Sequence, residues 1–114
     1  MIKAVFQRDA AGSIFSFELS GHADAGEYGS DVVCAAVSAL AISATNGIDA
    51  LAGATPSVQT DESDGGYLAV ELPMYMTQEQ NNISQILLEN LLLGLQAIQM
   101  EHTENITIQT LIKN

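Results

Sequence analysis

The chain has 114 residues, 47% of them apolar, with fourteen acids against three bases (Lys3, Arg8 and Lys113) for a formal net charge of −11. That length suits one domain over residues 1–114, able to bury roughly two thirds of the surface its unfolded form exposes. Three cations are too few for the phosphate contacts of direct nucleic-acid binding, and a single cysteine excludes a disulfide framework or a multi-cysteine metal centre.

The alternation Ile2-Lys3-Ala4-Val5-Phe6 reads as a strand and lacks the basic and apolar regions of a signal peptide. The two most apolar windows, residues 32–51 and 83–100, carry Asn46, Asp49, Glu89, Asn90 and Gln96, which argues against membrane spans. A soluble cytoplasmic protein is expected, its acidity serving solubility or the steering of a basic partner.

Residues 2–9 and 13–20 alternate and are joined by Ala10-Ala11-Gly12, the pattern of a hairpin with a short glycine turn. Phe15, Phe17 and Leu19 are expected on its buried face. A glycine-rich loop over 20–30 follows, and Ser30 or Asp31 then caps a helix from about Val32 to Ala52, with Asn46-Gly47 as a place where it could break. Val33, Val37, Leu40, Ala44, Ile48 and Leu51 form one side of this helix, and alanines fill much of the rest. A helix apolar nearly all round needs cover on more than one side, from a second helix or a second subunit.

Residues 56–62 and 67–72 read as a second hairpin about Ser63-Asp64-Gly65-Gly66, with Leu68, Val70 and Leu72 on one face. Thr77 and Gln80 have capping-box spacing and open a second helix that runs to about His102. Ile83, Ile86, Leu87, Leu91, Leu95 and Ile98 are its apolar stripe, and His102 is placed to complement its negative end. Residues 105–112 form a last strand. The order ββαββαβ predicts an α+β sandwich, a five-stranded, mainly antiparallel sheet with two long helices.

Chemistry concentrates between Gly21 and Ser38. Cys34 falls in the expected first helical turn, where unpaired N–H groups favour a thiolate and could serve as oxyanion donors. His22 lies twelve residues earlier on a loop with Gly21, Gly26 and Gly29, which can fold back over the helix start and supply a general base and acid. These glycines could act as hinges that let the loop close over the helix start. Asp31 either caps the helix or orients His22. Ser38, one turn after Cys34, either faces the thiol or bonds back to its own helix. Cys34 alone would equally suit a small buried hydrophobe. His22, Asp24, Glu27, Asp31 and Cys34 match no common zinc spacing, so no metal is expected, and no dinucleotide or phosphate loop calls for a cofactor.

The run Gly21-His22-Ala23, Gly26, Gly29 and Asp31-Val32-Val33-Cys34-Ala35-Ala36-Val37-Ser38-Ala39-Leu40 closely resembles the signature of the ribosomal-processing cysteine protease family, Prp. The resemblance covers nearly the whole chain. It implies a small, generally dimeric bacterial cytoplasmic endopeptidase that trims a short N-terminal extension from large-subunit ribosomal protein twenty-seven. His22 and Cys34 match the family's catalytic pair, and Asp31 and Ser38 also match its signature. Two other readings stand beside it: a non-enzymatic acidic module that binds a ribosomal protein, with Cys34 structural, and a hydrolase acting on a small ester or thioester.

Overall fold

The computed structural model describes residues 1–21, 30–61 and 66–113. Strands β1 (Ile2–Arg8) and β2 (Ile14–Ser20) precede helix α1 (Ser30–Gly47), which continues as a π-helical turn over Ile48–Ala52. Strands β3 (Ser57–Asp61) and β4 (Tyr67–Glu71), helix α2 (Gln78–Glu101) and strand β5 (Ile106–Ile112) complete the order ββαββαβ. The strands form one mixed sheet in the order β3-β4-β2-β1-β5, antiparallel except for the β1–β5 pair. The core lies between the helices and the face of this sheet that carries Ala4, Phe6, Phe17, Leu19 and Val70, and among the described residues no helix covers the other face.

The first hairpin turns where expected, with the Ala11 and Ser13 N–H groups donating to Asp9 Oδ1 at 2.9 and 3.0 Å. Its buried face differs from the simple alternation. Gln7 pairs with Ser16 but Arg8 pairs with Ile14, so Phe15 is the extra residue of a bulge. Ile14, rather than Phe15, joins Phe17 and Leu19 in the core. The Gln85 side-chain amide holds this kink, donating to the Ile14 carbonyl and accepting from its N–H, both at 2.8 Å. Phe6 and Phe17 stack at the centre, ring centroids 5.7 Å apart.

Helix α1 buries Val33, Val37, Ala41, Ala44, Ile48 and Ala52. The expected stripe is corrected at two places: Leu51 is 66% exposed and Leu40 37%. One residue is 100° of helix, so the small Ala41 and Ala52 take the inward positions and let the helix lie close to its neighbours. Leu40 instead reaches over α2, where a Cβ on Gly94 would stand 2.9 Å from its Cδ1. The suspected break at Asn46-Gly47 is a change of winding, since the α-helix ends at Gly47 and the wider π turn follows directly. Val32–Ala52, with mean hydropathy 1.5, is also long and apolar enough to cross a membrane by length and composition; here its inward stripe belongs to the core.

Helix α2 starts with the predicted capping box, Gln80 N–H donating to Thr77 Oγ1 and Thr77 N–H to Gln80 Oε1. Gln80 Nε2 also donates to the Gly53 carbonyl at 3.0 Å, which ties this end to the end of the π turn. The buried residues are Ser84, Leu88, Leu91, Leu92 and Leu95, a face rotated from the expected stripe so that Ile86 is 69% exposed. His102 ends the helix through its backbone, its N–H donating to the Ile98 and Gln99 carbonyls.

Arg8 clamps β1 to α2 through a two-pronged contact with Glu89, at 2.6 and 2.8 Å. The hydrogen bond from Arg8, assisted by its charge and opposed by burial, holds the Glu89 carboxyl below its ordinary value of about 4.5. The resulting stability is present above that unfolded-state value and is lost as pH falls through the lower folded-state one. Glu89 is 44% exposed, so solvent screening limits the effect to about 1 kcal/mol or less. Urea unfolding should therefore show Glu89→Gln slightly less stable than the parent near pH 7, with the difference gone once Glu89 is protonated in both the folded and the unfolded state. An equal difference at acid pH would show that the clamp works through packing instead.

Candidate active site

Helix α1 begins at Ser30, so Ser30 and Asp31 occupy its first turn instead of capping a later start, and Cys34 is its fifth residue. The start lies two residues earlier than expected, which puts Cys34 in the second turn. The N–H groups left without an intrahelical partner lie ahead of Cys34 and do not include its own. The Cα–Cβ bond of a helical residue tilts toward the N-terminus, which aims the Cys34 side chain back over that first turn.

Cys34 is a free thiol, half-buried and packed against the core. It lines a cleft of about 300 Å³ between α1 and the sheet end, whose apolar floor is Ile2, Leu19, Val37, Ile42 and Leu68. Ser20, Gly21 and Ser38 stand along the cleft as well. Ser38, one turn beyond Cys34, is exposed and lines the same cleft.

Gly21 has φ +85° and donates its N–H to the Gly66 carbonyl at 3.2 Å. A side chain there would run into the Met1 carbonyl oxygen. Gly21 and Ser30 flank residues 22–29, so one flank lies on the cleft and the other one turn ahead of Cys34. His22, Asp24, Gly26, Glu27 and Gly29 lie outside the described residues, as do Ser63, Asp64 and Gly65 of the second turn.

The sequence pattern left out the far wall of the cleft. Thr60, Asp61, Gly66 and Tyr67 come from the second hairpin, which reaches the cleft because β4 pairs with β2 and sets Tyr67 beside Ser20. The available signal was a tyrosine directly after Gly65-Gly66, at the head of a strand. Its hydroxyl donates to Glu18 Oε1 at 2.7 Å, and this bond, with burial and the carboxylate's charge, holds the phenol above the ordinary tyrosine range. A free thiol beside a cleft lined by apolar side chains is an arrangement that could bind a substrate next to the sulfur.

The family described as cysteine protease Prp matches residues 1–107. The ribosomal processing cysteine protease Prp of Bacillus subtilis (strain 168) is 37% identical over 110 residues, 96% of this chain and 97% of that protein. The crystal structure of SMU.848 from Streptococcus mutans superposes with a TM-score of 0.89 at 42% identity, covering 99% of this chain and 96% of that one. The essential ribosomal processing protease Prp from S. aureus, solved with a substrate peptide, gives 0.82 at 31% identity and coverages of 96% and 99%. The same protease solved with a covalently linked product peptide also gives 0.82, at 32% identity.

Proposed function

This chain belongs to the cysteine protease Prp family, and from that premise we propose that it removes the short N-terminal extension of large-subunit ribosomal protein twenty-seven, with Cys34 as nucleophile and His22 as general acid and base. The observation that carries this reading is the Cys34 thiol, half-buried in the cleft with Gly21, the neighbour of His22, on the same cleft. Membership of a protease family sets aside the non-catalytic module, and the similar protease solved with a substrate peptide favours a peptide over a small ester.

The Cys34 sulfur attacks the scissile carbonyl carbon, and the C–N bond breaks as His22 gives a proton to the leaving amine. A thioester remains. Water, losing its proton to His22, then attacks that carbonyl; the C–S bond breaks and the acid product leaves with the thiolate restored. Asp31, in the first turn of α1, is assigned the orientation of His22. Ser38, on the cleft one turn past Cys34, is assigned a contact with the peptide.

A net charge of −11 steers a basic ribosomal-protein tail to the enzyme, and the cytoplasm is where that substrate is made. The homodimer belongs to the same reading. Between Asp31 and Asp49 helix α1 carries no charge, yet it exposes Val32, Ala35, Ala39 and Ile42. A second copy would cover that face.

Incubation with the ribosomal protein carrying its extension, followed by intact mass, tests the substrate. One cut that releases the extension alone is expected. A ribosomal protein left intact by enzyme that still turns over a test peptide would reject it.

A further inference from the structure

We propose that the outer edge of β3 is a docking strand, on which a stretch of the substrate peptide away from the scissile bond pairs as a sixth strand of the sheet. This rests on Cys34 being the nucleophile of a peptidase. Strand β3 ends the sheet, and among the described residues no strand pairs with its outer side. The ladder fixes which of its backbone groups point there. Gly21 N–H donates to the Gly66 carbonyl and Leu72 N–H to the Phe15 carbonyl, each one step beyond the register pairs Ser20 with Tyr67 and Ser16 with Glu71. Bonded and non-bonded pairs alternate along an antiparallel ladder, so Leu68 and Val70 turn their N–H and C=O groups to β2, and Tyr67, Ala69 and Glu71 turn theirs to β3. Their partners there are Asp61, Gln59 and Ser57. The N–H and C=O groups of Val58 and Thr60 therefore point outward, two residues apart, the spacing at which a further strand forms its bonds.

Continuity with the cleft identifies the occupant. Val58 pairs with the buried Val70 and Thr60 with Leu68, which puts both side chains on the helix-facing side of the sheet. Thr60 lines the cleft together with Cys34, so the strand that offers unpaired backbone is itself a wall of the site. A peptide chain leaving the cleft at Thr60 meets these groups first. All of β3 is exposed, and it carries no proline, lysine or bulge, the devices that bar pairing at a sheet edge. From Leu19 on the cleft floor to the added strand is three strand spacings, about 14 Å, a distance that about four residues of extended chain cover. Main-chain bonds of this kind add affinity for an extended segment without reading its side chains.

The test shortens a peptide that the enzyme cleaves, from each end in turn, until two residues remain on that side of the scissile bond. Shortening one end should lower kcat/KM by about tenfold, and N-methylation along that end should alternate: a methyl group on a nitrogen facing β3 costs about fivefold, one on the next residue little. Thr60→Pro removes an outward donor and leaves the β3–β4 ladder whole. It should lower the ratio of long to short peptide by about fivefold, whereas Thr60→Ala, which keeps the donor, should retain the ratio. Each ratio is taken within one enzyme, so a general loss of folded protein does not move it, and the methylation series needs the parent enzyme alone. Equal kcat/KM for long and short peptides, methylation without alternation, or the parent ratio in Thr60→Pro overturns the proposal. That unchanged ratio together with altered sedimentation of Thr60→Pro would give the edge to a second copy of the chain. Cleavage persisting in Cys34→Ala would overturn the peptidase assignment instead.

Discussion

Replacing Gly21 by alanine should destabilise the protein by about 2–4 kcal/mol and cut peptide turnover well beyond the loss of folded enzyme. Two costs combine. The φ of +85° is one that a residue with a Cβ adopts only at a penalty of roughly 1–2 kcal/mol, and the new methyl group would overlap the Met1 carbonyl oxygen. That oxygen is backbone, so no rotamer change relieves the overlap. Moving the chain at Gly21 also strains its hydrogen bond to Gly66 and displaces the point from which the chain runs to His22.

Gly12 provides the internal control. Its φ is +93°, but nothing lies within 4 Å of the position its Cβ would take. Gly12→Ala should thus pay the conformational penalty alone and leave turnover per folded molecule as in the parent. Urea unfolding and peptide turnover of both variants separate the terms. Equal stability losses with equal turnover would show that the Met1 contact and the placement of Gly21 carry no weight.

Element order was legible because alternation, turn residues and caps are local signals. The capping box at Thr77 and Gln80 and the turn about Gly12 are each formed by residues a few positions apart, and each stands where expected. The helix faces were less legible. On α1 and α2 the apolar positions are not confined to one stripe, so the pattern alone does not say which side turns inward; small residues at Ala41, Ala52 and Ser84 decided it by allowing close approach. The Phe15 bulge depends on a register between strands, which alternation within one strand does not encode.

The same division runs through the site. Cys34, Ser38 and Gly21 sit within one stretch of sequence, and the structure brings these three to one cleft. The opposite wall is long-range. Tyr67 and Asp61 reach it only because β4 inserts beside β2, a pairing between segments about fifty residues apart that no local spacing announces. Helix start, too, moved by two residues, which is the ordinary uncertainty of a helix end but enough to place Cys34 in the second turn.

The second large effect is on chemistry. Cys34→Ala removes the atom that would form the thioester, and with it the covalent route; His22 would then have only water to activate. Peptide cleavage should fall by about 10⁴-fold or more, as when a nucleophile is removed from other covalent hydrolases. Stability should change much less, because Cys34 is only half-buried at the edge of the core. The most direct measurement is to quench the parent enzyme in acid during turnover and locate the acyl group by peptide mapping. The N-terminal product joined to the peptide that contains Cys34, and absent from Cys34→Ala, is the predicted result; cleavage by Cys34→Ala at the parent rate would contradict it.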